Sequence, residues 1–187
     1  ASHTAYVDAH NSLKILRIIK DKHKASWENF LCTSTKSSVE TILKSEGVYS
    51  IFENVKGRNM MYLVCTLHPT HCFHPSYTSW GYLWDLRRDP EPFLNMSVNE
   101  LKANLKKISP KALRVIKTNK APIVLDKKFA LKEKAYSDLD LETIKKRAEL
   151  VRSSEKFCQN IQIINREAAE EKAQTKTQED LLPEETL

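Results

Sequence analysis

The residues near the start of the chain that could do chemistry together are His3 and Asp8, five positions apart. Thr4 is a typical helix N-cap, which places His3 just outside a predicted helix and Asp8 in its first turn. On one helix their side chains would point about 140° apart, whereas from the preceding segment the imidazole can turn toward Asp8. A metal-binding carboxylate beside a histidine that deprotonates water suits phosphodiester hydrolysis. The alternative is a capped surface helix without a site.

A second group of candidate residues is basic and is interleaved with the aromatic residues Tyr62, Trp80 and Trp84. Its members are Lys56, Arg58, Arg87, Arg88, Arg114, Lys117 and Lys120. Basic side chains bind phosphates and aromatic faces stack on bases, so this pattern suits single-stranded nucleic acid. The alternative is a solvated rim over aromatic residues of the core. In the predicted turn at Asn119 and Lys120, exposed amides, a carboxamide and an ammonium come together, which suits a phosphate.

Histidine and cysteine residues raise the possibility of zinc in one short stretch, His68, His71, Cys72 and His74. Their spacing matches no closed zinc motif, and the prolines at 69 and 75 predict a loop. The other cysteines, Cys32, Cys65 and Cys158, are predicted to be buried apolar residues. Cysteines without paired spacing fit a reducing, cytoplasmic compartment.

Composition and charge limit the classes of function. The chain has 187 residues, 41% of them hydrophobic, and no apolar run of membrane-spanning length. With three glycines it is poorly suited to a glycine-rich phosphate loop. From residue 167 onward there are seven acids and two lysines, a net charge of −5. Because the whole chain carries a net charge of +6, the first 166 residues carry +11. A basic body with an acidic tail suggests a polyanionic partner.

Hydrophobic periodicity predicts an α+β fold with a helical lead-in, a small, strongly bent antiparallel sheet or partial barrel, and a helical C-terminal segment. Predicted helices are 5–24, 26–32, 37–45, 97–108 and 131–173, and predicted strands are 48–52, 60–67, 78–86, 113–117 and 122–125. The first helix should bury a stripe of Tyr6, Ala9, Leu13, Leu16 and Ile19. Ser97 and Glu100 form a capping-box pattern, and residues 174–187 are predicted to be unstructured.

The order of these features resembles the exodeoxyribonuclease I family, 3′→5′ exonucleases of the DEDDh class that act on single-stranded DNA. The resemblance is carried by four motifs in this sequence. They are His3-x4-Asp8, residues 57–69 ending in Leu-His-Pro, residues 96–101 (Met-Ser-Val-Asn-Glu-Leu), and residues 115–125 with Thr-Asn-Lys-Ala-Pro, close to the family's Ile-Asn-Lys-Cys-Pro. It implies the end of an RNase H-like nuclease domain at 1–24, an SH3-like domain with its helical lead-in at 25–128, and the start of a helical domain with an acidic linker at 129–187.

The resemblance also implies roles for individual residues. His3 would be the general base and Asp8 one ligand of a two-Mg²⁺ centre that four carboxylates hold in the complete enzyme. Asn119, Lys120, Lys117, Arg58 and Lys56 would contact the DNA. The family further implies binding of the acidic tail of the single-stranded-DNA-binding protein, by a monomer with no membrane partner.

The family's other acidic motifs belong upstream of Ala1, and Thr4 replaces the acidic residue that usually follows the histidine. We therefore expect an incomplete metal site, negligible activity of this chain alone, and a nuclease segment upstream as a further partner. Two other interpretations remain open. One is a nucleic-acid-binding module without catalysis, and the other is a protein-interaction domain whose basic face binds acidic peptides.

Overall fold

The computed structural model describes residues 4–45, 47–55 and 57–180, apart from the side chains at 172 and 175–180. It is an α+β fold, as predicted, in which helices precede and follow a five-stranded sheet. The helices are α1 (Ala5–Lys22), α2 (Lys24–Cys32), α3 (Lys36–Lys44), α4 (Val98–Lys107), α5 (Leu141–Ser153) and α6 (Glu155–Asp180). The strands are β1 (Val48–Val55), β2 (Arg58–Thr66), β3 (Trp80–Asp85), β4 (Leu113–Lys117) and β5 (Ile123–Asp126).

The first helix begins at the predicted position, but its predicted apolar stripe is not buried. The hydroxyl of Thr4 accepts a hydrogen bond from the backbone N–H of Val7, which confirms the N-cap. No residue of α1 is buried, and of the predicted stripe only Leu16 and Ile19 are half-buried. The predicted burial is wrong because the main contacts of α1 in the described part of the chain are with α2, near its own C-terminal end.

The sheet is antiparallel throughout, with the strand order β4-β3-β2-β1-β5. β1 and β2 form a hairpin in which Gly57 adopts a φ of 79°, a left-handed conformation that favours glycine. β4 and β5 are the two edges of the sheet, joined by a short 3₁₀ turn at Thr118–Lys120. The predicted small antiparallel sheet is therefore confirmed.

Each face of the sheet packs on its own hydrophobic core. Alternate residues of β2 and β3, such as Leu63 and Trp84, pack on one side with Val151 of α5 and Phe157 and Ile161 of α6. Residues of the opposite parity pack under α3, in a set made of Val39, Leu43, Ile51, Tyr62, Val64, Leu83, Ile116 and Val124. Because both faces are covered, β3 is almost continuously buried and not half-exposed as its alternating sequence suggests.

The C-terminal segment is helical later and for longer than predicted. Residues 131–140 form 3₁₀ turns and irregular backbone, and α5 begins only where Asp140 caps it by accepting the backbone N–H of Thr143. A break at Ser154 separates α5 from α6. α6 continues to Asp180, so the prediction of unstructured chain is wrong for 174–180, and residues 181–187 lie outside the described residues. No described helix combines the length and the apolarity needed to cross a membrane.

Candidate nucleic-acid interface

A groove of about 880 Å³ is lined by residues of the edge strand β4, of β1, and of the connection into the other edge strand, β5. Its floor is apolar and contains Ile51 of β1, Tyr62 of β2 and Ile116 of β4. One rim is the segment between α4 and β4, including Pro110, and the other is the connection to β5, including Pro122. The groove stays open because β4 and β5 are not hydrogen-bonded neighbours.

The walls of this groove are strongly basic. The cationic side chains that line it are Lys106, Lys111, Arg114, Lys117 and Lys120. Among the described residues that line it, Glu53 is the single acid. An apolar floor with cations on both rims suits a polyanion or an acidic peptide with apolar side chains.

The turn predicted to bind phosphate lies at the end of this groove and is held in place. The backbone N–H of Thr118 donates to the carbonyl oxygen of Ser79 at 2.8 Å, and the Thr118 hydroxyl donates to the same oxygen at 3.3 Å. Asn119 and Lys120 are exposed; Lys120 lines the groove and Asn119 lies beside it. Ala121 ends the turn with a φ of 44°. The structure thus brings Lys117, Asn119 and Lys120 together.

Arg114 lies on the floor of the groove in an ion pair. Its Nη1 atom donates to Oε2 of Glu53 at 3.1 Å, and its guanidinium lies 3.5 Å from the ring centroid of Tyr62. Burial raises the pKa of the Glu53 carboxyl above its ordinary value, against the opposing effect of Arg114. This pair therefore offsets part of the positive charge of the groove.

Two other members of the predicted basic cluster are used inside the fold. Arg87 donates to the buried carboxylate of Asp85 at 2.6 Å, and Arg88 donates to the carbonyl oxygen of Ser109 at 2.6 Å. Neither lines the groove. Arg58 is exposed at the β1–β2 hairpin, also outside the groove lining, and Lys56 lies outside the described residues.

The aromatic residues of the predicted cluster likewise divide into residues buried in the fold and residues that are partly exposed. Tyr62 and Trp84 are buried, so the interpretation as core aromatics is right for both. Trp80 is half-buried, stacks on the exposed ring of Tyr77 at a centroid distance of 4.9 Å, and has the Lys117 ammonium 5.1 Å from its ring. Sequence reasoning missed Tyr77, although its position three residues before Trp80 was a usable indication.

Sequence reasoning also missed Lys106 and Lys111, which form one rim of the groove. They flank the Ser109–Pro110 segment and belong to no strand. Lys145 and Lys146 are exposed on α5, whereas Arg147 is half-buried and donates to the carbonyl oxygens of Leu86 and Arg87.

Of the predicted catalytic pair, His3 lies outside the described residues. Asp8 is exposed in the first turn of α1, as predicted. Among the described residues, no three His, Cys, Asp or Glu side chains are grouped closely enough to hold a metal ion. A two-metal centre therefore does not fit the described residues by themselves.

The histidine-rich loop is built as a structural element. His74 is buried, and its Nδ1 atom accepts backbone N–H groups from Ser76 and Tyr77, both at 3.0 Å. The Cys72 thiol donates to the carbonyl oxygen of Pro69, and burial raises its pKa to about 11. These bonds engage Nδ1 of His74 and the thiol of Cys72, whereas Nε2 of His74 is buried with no hydrogen-bond partner among the described residues.

The remaining cysteines are free thiols in the structure. Cys65 and Cys158 are buried as predicted, and desolvation raises their pKa to about 12 and about 11 respectively. The prediction is wrong for Cys32, the last residue of α2, which is exposed because no residue of α2 is buried by the described part of the chain.

Comparison with known structures gives the fold a clear counterpart. Exonuclease I from Methylocaldum szegediense superposes with a TM-score of 0.65 at 16% identity, covering 88% of this chain and 37% of that one. Exonuclease I of E. coli, in complex with a 5cy-dT13 oligonucleotide, gives a TM-score of 0.62 at 14% identity, covering 87% and 37%. An ExoI/SSB-Ct complex gives 0.61 at 13% identity, with 87% and 37% covered.

At these identities the likeness concerns the fold, and the chain spans about 37% of the length of these structures. No curated protein sequence matches it. Residues 57–167 match the Exonuclease I SH3-like domain family. This range is more than half of the chain and contains all of β2, β3, β4 and β5. On this match the chain belongs to the Exonuclease I SH3-like domain family.

Proposed function

We propose that this chain is the SH3-like portion of an Exonuclease I-type 3′→5′ exonuclease acting in DNA repair, and that it binds single-stranded DNA along the basic groove. The observation that carries the proposal is the groove itself: five cations surround an apolar floor between two open edge strands. The family match and the structure of a relative with an oligonucleotide support it. Lys117, Asn119 and Lys120 would bind phosphates, and Tyr77 with Trp80 would offer a stacking surface.

The proposal also assigns roles to residues at the start of the chain. Asp8 would contribute one carboxylate, and His3 the general base, to a site completed by carboxylates from a nuclease segment. Mg²⁺ bound there would supply electrostatic stabilisation of the phosphate. The exposed apolar side chains of α1, which are Tyr6, Val7, Leu13, Ile15 and Ile18, support such a partner because exposed apolar surface of this kind usually marks an interface.

A second candidate function is binding of an acidic peptide, and one observation favours it. The groove floor is apolar as well as rimmed by lysines, which suits a peptide carrying both carboxylates and hydrophobic side chains. The complex of a relative with SSB-Ct is consistent with such a partner. Peptide binding in the groove would compete with DNA, whereas peptide binding elsewhere would not.

The direct test is fluorescence anisotropy of a labelled oligothymidylate with the double variant Lys117→Ala/Lys120→Ala. The matched control is Lys145→Ala/Lys146→Ala, which removes the same charge from exposed positions on α5 outside the groove. We expect the groove variant to bind more weakly. Its log affinity should also depend less steeply on log salt, by about 1.4, because each lost phosphate contact on a single strand accounts for about 0.7.

Equal effects of the two double variants would contradict a dedicated groove and indicate unspecific attraction to a basic protein. No binding by the unmodified chain at low salt would overturn the DNA-binding proposal. An acidic peptide that displaces the oligonucleotide, and whose own binding is lost in the groove variant, would favour the second candidate.

Catalysis is tested separately, by digestion of a labelled single strand with Mg²⁺ in the presence of a nuclease segment from a relative. We expect no digestion by the chain alone. Digestion in the mixture should be lost in both His3→Ala and Asp8→Asn. Digestion that survives both substitutions in the mixture would contradict the roles given to these residues.

A further inference from the structure

The guanidinium of Arg114 is placed to bind an anion. Arg114 lies on β4 with its side chain turned to the groove, and the residue is 8% exposed. Its Nη1 atom donates to Glu53, while its Nε and Nη2 atoms are buried and have no hydrogen-bond partner among the described residues. Buried guanidinium donors without acceptors are costly, so the group is under-satisfied as it stands.

The ring of Tyr62 fixes the orientation of this guanidinium. The Arg114 carbon Cζ lies 3.5 Å from the centroid of the ring, which is itself buried in the core under α3. Stacking on a rigid aromatic face reduces the freedom of the arginine. Arg114 therefore offers preorganised donors, in contrast to the flexible lysines on the rims.

Glu53 has the properties of a temporary counter-anion. Its side chain is 28% exposed, so it can turn toward solvent, whereas the Arg114 side chain is 9% exposed and cannot. Burial already raises the pKa of Glu53, which means that its charged form is poorly solvated where it stands. A better-placed acceptor could therefore replace it on Arg114 without losing a strongly favourable interaction.

We propose that Glu53 is the internal counter-anion of the groove: it occupies Arg114 while the groove is empty, and a phosphate of single-stranded nucleic acid replaces it when a strand binds. This inference rests on the proposed function. A phosphate fits because it offers several acceptor oxygens to the fixed guanidinium fork. The lysines on both rims favour neighbouring phosphates of the same strand over a lone carboxylate.

A structural role is the competing explanation, because the ion pair joins β1 to β4 across the floor of the groove. If Glu53 only held β1 and β4 together, its replacement by glutamine would lower the stability of the fold without strengthening oligonucleotide binding. If it is a counter-anion, the same replacement should strengthen binding.

The experiment compares Glu53→Gln with the matched control Glu91→Gln in oligothymidylate binding by anisotropy. Glu91 is an exposed carboxylate paired with Lys146 at 3.9 Å, outside the groove, so both variants raise the net charge by one. We expect Glu53→Gln to bind roughly fivefold more tightly at low salt, the effect of one unit charge at contact distance in water. Its salt dependence should be steeper by about 0.7, and Glu91→Gln should match the unmodified chain.

A second measurement reports on Arg114 itself. Inorganic phosphate is titrated into the full chain and followed through the Arg114 Nε–H resonance by nuclear magnetic resonance. We expect a phosphate-dependent shift that is larger in Glu53→Gln, and the resonance is assigned by its disappearance from the spectrum of Arg114→Gln. Thermal melting of each variant confirms that it is folded under the assay conditions.

The outcomes separate this inference from the proposed function. Strand binding that depends on Lys117 and Lys120, with Glu53→Gln equal to Glu91→Gln, overturns the counter-anion and leaves the function standing. No strand binding, but a phosphate shift at Arg114 enhanced in Glu53→Gln, supports the anion site and overturns the DNA-binding proposal. If Glu53→Gln changes neither the affinity for the oligonucleotide nor the phosphate-dependent shift at Arg114, the inference is wrong.

Discussion

Two tyrosine hydroxyls in the same core should respond in opposite ways to their removal. The Tyr136 hydroxyl donates to Oδ1 of Asp85 at 3.0 Å, and that carboxylate is completely buried. The hydroxyl of Tyr82 is also buried but has no hydrogen-bond partner among the described residues. We therefore expect Tyr136→Phe to destabilise the protein and Tyr82→Phe to leave it unchanged or more stable.

The size of the first effect follows from the bonds that remain on Asp85. After Tyr136→Phe the carboxylate still accepts the backbone N–H of Arg87 at 3.0 Å and its guanidinium at 2.6 Å. It thus loses one of three bonds and is not left unpaired. A hydrogen bond to a charged group contributes about 1.5–3 kcal/mol, so the free energy of unfolding should fall by about 2 kcal/mol.

The second effect is bounded by the cost of burying a hydroxyl without a partner. Protein mutational data give about 1–3 kcal/mol for an unpaired buried polar group, and replacing Tyr82 by phenylalanine removes that cost while keeping the ring. Part of the gain is offset by the small space left behind. We expect an unchanged stability or a gain of up to about 1 kcal/mol.

Both variants are measured by urea unfolding and by thermal melting in parallel. For a chain of this length 1 kcal/mol corresponds to about 2–4 °C, so Tyr136→Phe should lower the melting temperature by about 4–8 °C. Tyr77→Phe, which changes an exposed ring, controls for the general effect of losing a hydroxyl. Equal losses for Tyr136→Phe and Tyr82→Phe would refute the reasoning, as would a clearly destabilised Tyr82→Phe.

Two further predictions concern the sheet and α4. In Gly81→Ala the new Cβ would lie 2.6 Å from Cδ1 of Leu43. Urea unfolding should therefore show that overpacking lowers the free energy of unfolding by about 1–3 kcal/mol. An unchanged value would show that Leu43 can move. Ser97→Ala removes the N-cap of α4 and should cost about 1 kcal/mol in the same assay. Hydrogen bonds from Ser97 lower the pKa of the Glu100 carboxyl below its ordinary value of 4.5. The contribution of Glu100 to stability is therefore complete above about pH 4.5 and is lost as the pH falls through the lowered pKa of the folded state. Glu100→Gln should therefore flatten the loss of stability below about pH 4.5, and an unchanged acid limb would contradict this.

The features that could be predicted from sequence are those set by neighbouring residues. The capping box of Ser97 and Glu100 and the N-cap at Thr4 involve groups three residues apart, so their hydrogen bonds require no knowledge of the fold. The strands and the turn at 118–120 were found because alternation and turn composition are local as well. These local patterns, together with the family resemblance, were sufficient for the fold class.

The features that could not be predicted depend on what packs against each element. The apolar residues of α1 have the correct helical spacing for a buried stripe, yet Leu13 is 45% exposed because the described chain supplies little to cover it. The rim lysines Lys106 and Lys111, one at the C-terminal end of α4 and the other between α4 and β4, line the same groove as Lys120. Neither fact follows from any short stretch of sequence.

The basic cluster shows a third case, in which a usable pattern was overlooked. Along β4, Arg114 and Ile116 are buried and Val115 and Lys117 are exposed. The two-residue period of a strand places Arg114 on the same face as Ile116, so its burial could have been anticipated from the apolar residue two positions away. Treating all the basic residues as one surface concealed this difference.

Several arginines of this protein contact the fold, whereas the rims of the groove carry lysines. Arg147 donates to the Leu86 carbonyl and Arg152 to the Gly47 carbonyl. Lysines line both rims of the groove. A guanidinium is weakly hydrated and has several directed donors, whereas an ammonium is strongly hydrated and flexible. Arg114 lies at the boundary between these roles, since it is buried like a structural arginine but retains donors without partners among the described residues. Its unsatisfied donors are the reason to expect that a ligand phosphate, and not only the carboxylate of Glu53, binds at the floor of the groove.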